Sequence, residues 1–399
     1  MKKAALVSLA GYLPGTDLLE RQAKKLGDYL RDNTLLKKEY IAMIEGEQKL
    51  PGYVETNYDG WISQPWYDAW LQQLPEKKRS NPFQGAEERR RVPMDPTSVR
   101  TSTHPHPMLP SDAETIAGAM ALLKWGKPKE EIDLVLVHSQ VQDRPLPSNA
   151  SLVQHKLQLT NAGAYTVDSC CSTFVTMVEV ASALVNAGVK KNVLVVNSIL
   201  DSMINDKSTY YSICTGDAAC AAVITAVEGE YGYEGSFSLS RGELHDGIVF
   251  HHRSPMLHAD VSCQPSYAQD FVTFMNPEAC RTIGAKATEY LEYAVEQLEK
   301  KTRITRSQAQ FLVTHQPVGW APLAWRDSLG FTPSQHLCTY EKYGNIATCS
   351  VPTNLLLSIE RGMVKAGQRV LMASSGAGEN HIALYETLSP ELEKNVLDF

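Results

Sequence analysis

The chain has 399 residues, 43% hydrophobic and 21% charged, an ordinary globular composition long enough for two domains or one duplicated domain. Its formal net charge is −7 with no long basic run, which argues against nucleic acid as the main partner. No apolar run approaches membrane-spanning length, and eight cysteines without a CxxC pair read as reduced thiols of a cytoplasmic protein, not as disulfides or a zinc site.

Residues 3–13 read as a strand that stops at Leu13-Pro14-Gly15, and 18–50 as a heavily charged helical stretch. Residues 53–82 are aromatic-rich and loop-like. They read as a surface excursion with its own small core, or as a lid over a substrate pocket, with Trp66 and Trp70 on one helical face and Trp61 nearby. Residues 87–91 are a charge cluster expected on a solvated face. Residues 111–125 read as an amphipathic helix capped by Ser111-Asp112-Ala113-Glu114 and ended by Gly126, and 132–137 as a buried strand.

Residues 164–167 form a further short strand. After it, Phe174, Met177, Val178, Ala181, Leu184 and Val185 recur at helical spacing until Gly188. Cys170 and Cys171 therefore sit where a strand turns into a helix. Free N–H groups and the positive end of the helix dipole lower a thiol's pKa there, and supply oxyanion donors beside a nucleophile. Taken alone, the pair also reads as two small apolar thiols filling a buried turn.

The order then recurs. Residues 122–140 resemble 298–316, and 186–196 resemble 361–372; His315 follows His138 by 177 residues (315 − 138) and Gly362 follows Gly188 by 174 (362 − 188). Two matches at nearly one offset mean an internal duplication of alternating strands and helices. Cys171 lies 33 residues after His138 and Asn345 lies 30 after His315, at the corresponding turn. A pseudo-twofold axis would bring Cys171, His315 and Asn345 together at the carboxyl ends of the strands. A Cys beside a His is an activated nucleophile, and an Asn with an imidazole can hold a thioester oxygen as it becomes negative.

These residues resemble the thiolase superfamily, specifically ketoacyl-ACP synthase III and its specialised-metabolism relatives. The resemblance is carried by Cys171-Ser172-Thr173-Phe174, Thr314-His315-Gln316-Pro317, Tyr343-Gly344-Asn345 with Ser350-Val351-Pro352, the segment Thr215-Gly216-Asp217, Gly376-Ala377-Gly378, and Leu146-Pro147-Ser148, which matches a dimer-interface loop. It implies an α/β, thiolase-like fold of duplicated halves in a five-layer α-β-α-β-α arrangement. Residues 1–230 would carry Cys171 and an enlargement at about 30–82, and residues 231–399 would carry His315 and Asn345. It implies that Cys171 takes an acyl group from an acyl-CoA or acyl-carrier-protein thioester, and that His315 and Asn345 support decarboxylation of a malonyl-type acceptor. The N–H groups of Cys171 and Gly378 would form an oxyanion hole. No cofactor is implied. Cys170 and Cys349 would be structural, and Leu146 would help wall the pocket of a homodimer partner.

Departures from the family pattern fall on the donor side. Trp320 occupies the place of a carrier-docking Arg, Val318 that of an Asn, and Lys78-Arg79-Ser80-Asn81-Pro82-Phe83 that of the coenzyme-A-gripping Trp and Arg. With the enlargement, they point away from housekeeping fatty-acid initiation. The expected function is an acyl-thioester condensing enzyme forming a carbon–carbon bond through acyl-Cys171 in polyketide or fatty-acid-like specialised metabolism. The alternatives are an acyltransferase to a hydroxyl or amine, with His315 as general base, and an inactive partner subunit.

Overall fold

In the computed structural model the described residues are 2–55, 58, 72, 76, 89–92, 108–144, 146–203, 210–252 and 271–399. In chain order they form β1 (Lys2–Tyr12), α1 (Glu20–Asn33), α2 (Lys38–Glu47), β2 (Tyr53–Val54), β3 (Arg90–Arg91), α3 (Pro110–Trp125), β4 (Leu134–Ser139), α4 (Asn149–Lys156), β5 (Gly163–Thr166), α5 (Thr173–Asn186), β6 (Asn192–Leu200), α6 (Tyr210–Cys214) and β7 (Asp217–Glu228). Then follow β8 (Gly232–Ser240), β9 (Ile248–His252), β10 (Phe271–Met275), α7 (Pro277–Thr302), β11 (Phe311–Thr314), α8 (Ala321–Ser328), α9 (Tyr340–Tyr343), α10 (Ser350–Glu360), β12 (Arg369–Gly376), β13 (Asn380–Thr387) and α11 (Pro390–Leu397).

Two mixed sheets organise these elements. The first runs β1-β7-β6-β4-β5 and the second β11-β12-β13-β8, so β1-β7-β6-β4 is repeated as β8-β13-β12-β11. In the first, β4 is parallel to β5 and β6, and β7 is antiparallel to β1 and β6; in the second, β11 and β12 are parallel and β13 is antiparallel to both its neighbours. Helix α5 packs on β1, β6 and β7 of the first sheet and on β8, β12 and β13 of the second, while α10 touches β1, β7, β11 and β12. Helices α1, α3 and α4 cover the outer face of the first sheet; α7 and α8 cover that of the second. The result is five layers, α-β-α-β-α, as the family resemblance implies.

The strands are apolar without alternation because both of their faces are covered. Leu134 and Leu136 of β4 point into the core between the sheets, with Phe174, Met177, Val313, Val351, Leu355 and Met372. Val135 and Val137 point the other way, into a second core with Leu26, Leu30, Ile116 and Met120. Each such side chain contributes roughly 1.5–3 kcal/mol on burial.

Four expectations are corrected locally. The stretch 18–50 is two helices, because Thr34 turns extended and its Oγ1 donates to the Leu30 carbonyl. Helix α3 is not amphipathic: every residue but Leu123 is buried, since it lies between the first sheet, α1 and α4. It starts at Pro110, with Asp112 accepting the Leu109 N–H; Ser111 is already inside the helix and donates to Asp143. Of the charge cluster, Arg89 and Arg91 are fully buried rather than solvated. Arg89 donates to the carbonyls of Tyr340 and Glu341 and stacks on Tyr340, so it clamps the second half of the chain. The tryptophans at 61, 66 and 70 lie outside the described residues. The described start of the enlargement, with Leu30, Leu36, Tyr40, Ile41 and Ile44, is packed into the outer core. No described helix is long and apolar enough to cross a membrane.

The two sheets are also linked by a buried carboxyl. At the irregularity between Leu6 and Ser8 of β1, the Leu6 N–H donates to Glu386 Oε1 at 2.7 Å, while Oε2 has no partner among the described residues. Burial pushes the Glu386 pKa up to about 8. The folded state therefore holds a proton that the unfolded chain releases above about 4.3, so this group's contribution is full below that pH and is lost as pH rises through about 8. Glu386→Gln keeps the Leu6 acceptor and removes the charge. In thermal melts, the variant is expected to match wild type at pH 4 and to exceed it at pH 9 by about 2 kcal/mol or more. Equal melting temperatures at both values would contradict this.

Candidate active site

Small polar side chains shape the turn between β5 and α5. Asp168 Oδ1 accepts the Cys170 N–H at 2.8 Å, Ser172 Oγ donates to the Ser169 carbonyl at 2.7 Å, and Thr173 Oγ1 donates to the Cys170 carbonyl at 2.6 Å. They satisfy backbone groups that a helix start leaves open, and hold Cys170 at φ +55°. The tight turn Cys170–Ser172 then runs straight into the helix.

The second half repeats this elbow. Asn345 Oδ1 accepts the Ala347 N–H at 2.8 Å, Ala347 stands at φ +40°, and the turn Ala347–Cys349 leads into α10. The repeat pairs Asp168 with Asn345, Cys170 with Ala347, Cys171 with Thr348 and His138 with His315. The pseudo-twofold counterpart of Cys171 is thus Thr348, three residues beyond Asn345. Thr348 is fully buried and its hydroxyl accepts the Phe174 N–H at 2.9 Å. That bond also ties the elbows to each other, and the two turns pack together. Only the first elbow carries a thiol at this position.

His315 leaves the carboxyl end of β11 beside this contact. Its Nδ1 lies 3.2 Å from Ser350 Oγ, and its ring donates to the Ala347 carbonyl. Burial pushes its pKa down to about 3, so at neutral pH it is an uncharged imidazole able to accept a proton. Gln316 fixes its backbone: Nε2 donates to the Gly344 carbonyl at 2.7 Å, and Oε1 accepts from Thr339 and Asn354. The Asn345 backbone is held on both sides, its N–H donating to Cys214 and its carbonyl accepting from Gly216. With its amide oxygen engaged in its own turn, Asn345 has its NH₂ left to offer a ligand. The structure thus brings Cys171, His315 and Asn345 to one junction.

The third wall is β12. Ser374 Oγ donates to the Cys171 carbonyl at 3.1 Å, and a Cβ on Gly376 would lie 2.4 Å from the Ser169 oxygen and 3.0 Å from the Cys171 nitrogen. Only glycine permits that approach. The backbone N–H of Ala377 faces both sulfurs, and Gly378 follows at φ +77°. The thiols do not behave as the helix dipole alone predicts. Cys170 Sγ and Cys171 Sγ are 3.8 Å apart; hydrogen bonding from Cys171 pushes the half-exposed Cys170 thiol down, and that same neighbour, with burial, pushes Cys171 up. Of the two thiols, Cys170 is the one whose ionisation the site favours.

Asp201, at the carboxyl end of β6, escaped the sequence reading. It is fully buried and pushed up to about 7 by desolvation; Tyr211 stands beside it and its charge helps keep Cys171 protonated. The signal available was its place at a strand's carboxyl end. Of the pocket residues expected, Leu146 is 85% exposed, away from this junction. Trp320 packs with Val318 against the outer core around Trp325, and Trp66 lies outside the described residues.

Comparison with known proteins follows the same boundaries. Residues 165–240 match the family model described as 3-oxoacyl-[acyl-carrier-protein (ACP)] synthase III, and residues 299–385 match its C-terminal model. Beta-ketoacyl-[acyl-carrier-protein] synthase III of Aliarcobacter butzleri is 28% identical over 274 residues, 67% of this chain and 80% of that protein. The protein of the same name from a Sulfurovum species is 29% identical over 275 residues, 67% of this chain and 78% of its own. Among solved structures, synthase III (FabH) of Pseudomonas aeruginosa aligns at TM-score 0.68 and 19% identity, over 97% of this chain and 98% of that one. The E117A variant of Xanthomonas campestris OleA aligns at TM-score 0.67 and 18% identity, over 97% and 98%.

Gly376→Ala tests the close approach of β12. It should lower stability by about 1–3 kcal/mol in thermal melts, because backbone atoms of the elbow must shift. Melting at the wild-type temperature would mean that the elbow tolerates the added methyl without strain.

Proposed function

We propose, taking as premise that this chain is a ketoacyl-ACP synthase III-like member of the thiolase superfamily, that it condenses acyl thioesters through an acyl-Cys171 intermediate. The observation that carries this reading is the meeting of the two elbows, one carrying Cys171 and the other Asn345 with His315 hydrogen-bonded against it. Neutral His315 takes the Cys171 proton as the sulfur attacks the donor thioester. The N–H groups of Cys171 and Gly378 hold the tetrahedral oxyanion until the donor thiol departs. A malonyl-type thioester then enters, its carbonyl oxygen facing His315 and the Asn345 amide. Loss of CO₂ leaves an enolate, which attacks acyl-Cys171 and releases a β-ketoacyl thioester.

Condensation is favoured over transfer to a hydroxyl or amine because the Ala347 N–H occupies the Asn345 oxygen, which leaves a donor where an enolate needs one. Residues 1–230 form the nucleophile half and 231–399 the decarboxylating half. This division falls in the link between β7 of the first sheet and β8 of the second. A cytoplasmic role in polyketide-like specialised metabolism, with coenzyme A or a carrier protein as donor, accords with Trp320 and Val318 standing where the family pattern has Arg and Asn.

Intact-protein mass after incubation with acyl-CoA or acyl-carrier thioesters, together with CO₂ release from a malonyl thioester, tests the chemistry. Cys171→Ala should lose the acyl adduct, while Cys170→Ala keeps it. Asn345→Asp should load normally yet lose roughly 10²–10³-fold in condensation, because a carboxylate repels the enolate. Adduct formation without CO₂ release would leave plain acyl transfer as the reading.

We also propose a homodimer joined through the loop at Leu146, an apolar side chain left 85% exposed. Light scattering should give a dimer mass at micromolar concentration, and Leu146→Asp a shift toward monomer. A monomeric wild type would remove the claim.

A further inference from the structure

The sulfurs of Cys170 and Cys171 lie 3.8 Å apart on adjacent residues, in contact across the elbow. Nothing in the backbone asks for the first of them. The pseudo-twofold counterpart of Cys170 is Ala347, which adopts the same positive φ, +40° against +55°, with the same side-chain bond from two residues upstream. The elbow folds with alanine at this position, so the second thiol is there for its sulfur.

Cys170 also differs from the other described cysteines. Cys214, Cys220 and Cys349 are buried among apolar side chains or strand backbone, beyond easy reach of a dissolved oxidant. Cys280 and Cys338 are half-buried, but desolvation pushes both thiols up. Cys170 is half-buried with its thiol pushed down, beside an Ala377 N–H that favours the thiolate. A low-pKa, accessible thiol next to a second thiol is the arrangement that oxidises first and is then resolved by its neighbour.

We propose that Cys170 and Cys171 are a reversible oxidation site, closing to a vicinal disulfide under hydroperoxides. The Cys170 thiolate attacks a peroxide oxygen, the O–O bond breaks, and with one proton taken up the products are Cys170 sulfenic acid and water. Cys171 sulfur then attacks the Cys170 sulfur, the S–O bond breaks, and the Cys171 proton leaves with the hydroxide as a second water. Both sulfurs are oxidised and the peroxide is reduced. Adjacent α-carbons are only about 3.8 Å apart across a trans peptide, below the usual disulfide span, so the bond is readily reduced by thiols. Closure removes the Cys171 thiol from acyl transfer while shielding it from deeper, irreversible oxidation. The dithiol chemistry rests on the contact of the two sulfurs and needs no acyl step; its effect on turnover rests on the acyl-Cys171 reading.

The test uses the full-length protein, freed of reductant and exposed to roughly equimolar hydrogen peroxide before mass spectrometry. The expected product is about 2 Da lighter, with one peptide carrying Cys170 joined to Cys171 and complete return of the starting mass on adding dithiothreitol. Acyl loading should vanish and return in step with that mass. Cys170→Ala should load acyl groups as wild type does before peroxide. After peroxide it should gain oxygen at Cys171 and recover none of its loading on reduction. The proposal is overturned if wild type gains oxygen instead of losing two hydrogens, if the disulfide maps to another pair, or if Cys170→Ala recovers as wild type does. Formation of the disulfide in a protein that never loads acyl groups would uphold this site and count against the acyl-Cys171 reading.

Discussion

Everything at the junction depends on two strand-to-helix elbows pressed together between the sheets. Each is held at a positive φ by a side-chain oxygen two residues upstream, Asp168 for Cys170 and Asn345 for Ala347. Left-handed backbone at a residue with a side chain is costly, and persists where surrounding bonds over-determine it. Here the Phe174–Thr348 bond, the Ser374 bond to Cys171 and the bare Gly376 provide that confinement. The strain also aims the helix N-termini and their free N–H groups at one small volume.

Burial then sets the protonation states. His315 is kept neutral because the middle layer offers it a carbonyl and a hydroxyl but no carboxylate. Asp201 is kept near neutrality because it is desolvated, and Asp217 raises it further while Tyr211 and Arg91 lower it. The two thiols are pushed in opposite directions, Cys170 down by the hydrogen bond from Cys171 and Cys171 up by that same neighbour and by burial. The first half keeps a trace of the same design: His138 Nδ1 stands 3.5 Å from Asp168, at the positions that mirror His315 and Asn345. With a buried Thr348 where the thiol would be, that copy serves the elbow and not a substrate.

The likeness to synthase III proteins is strongest where these elbows lie, in 165–240 and 299–385. Outside them the chain has its own features. Arg89 reaches across to the backbone before Gly344, and the stretch 30–50 adds a helix to the outer core.

The strands, the duplication and the two turns that meet were legible in the sequence, because they depend on local pattern and on spacing. Apolar runs name buried strands, and the 177-residue offset between His138 and His315 fixes which turns must face each other. The five layers were an implication of the family resemblance. Other features were not legible, since they arise from contacts between distant segments. Arg89 and Arg91 read as a solvated cluster because composition alone cannot show that remote carbonyls and Asp217 are waiting for them. Helix α3 read as amphipathic because its one-sided partners in sequence hide that it is enclosed on all sides in space. The opposite shifts of the two thiols were decided only in three dimensions. The helix dipole is a property of one element, but the sulfur 3.8 Å away, the depth of burial and the Ala377 N–H come from the packing of three.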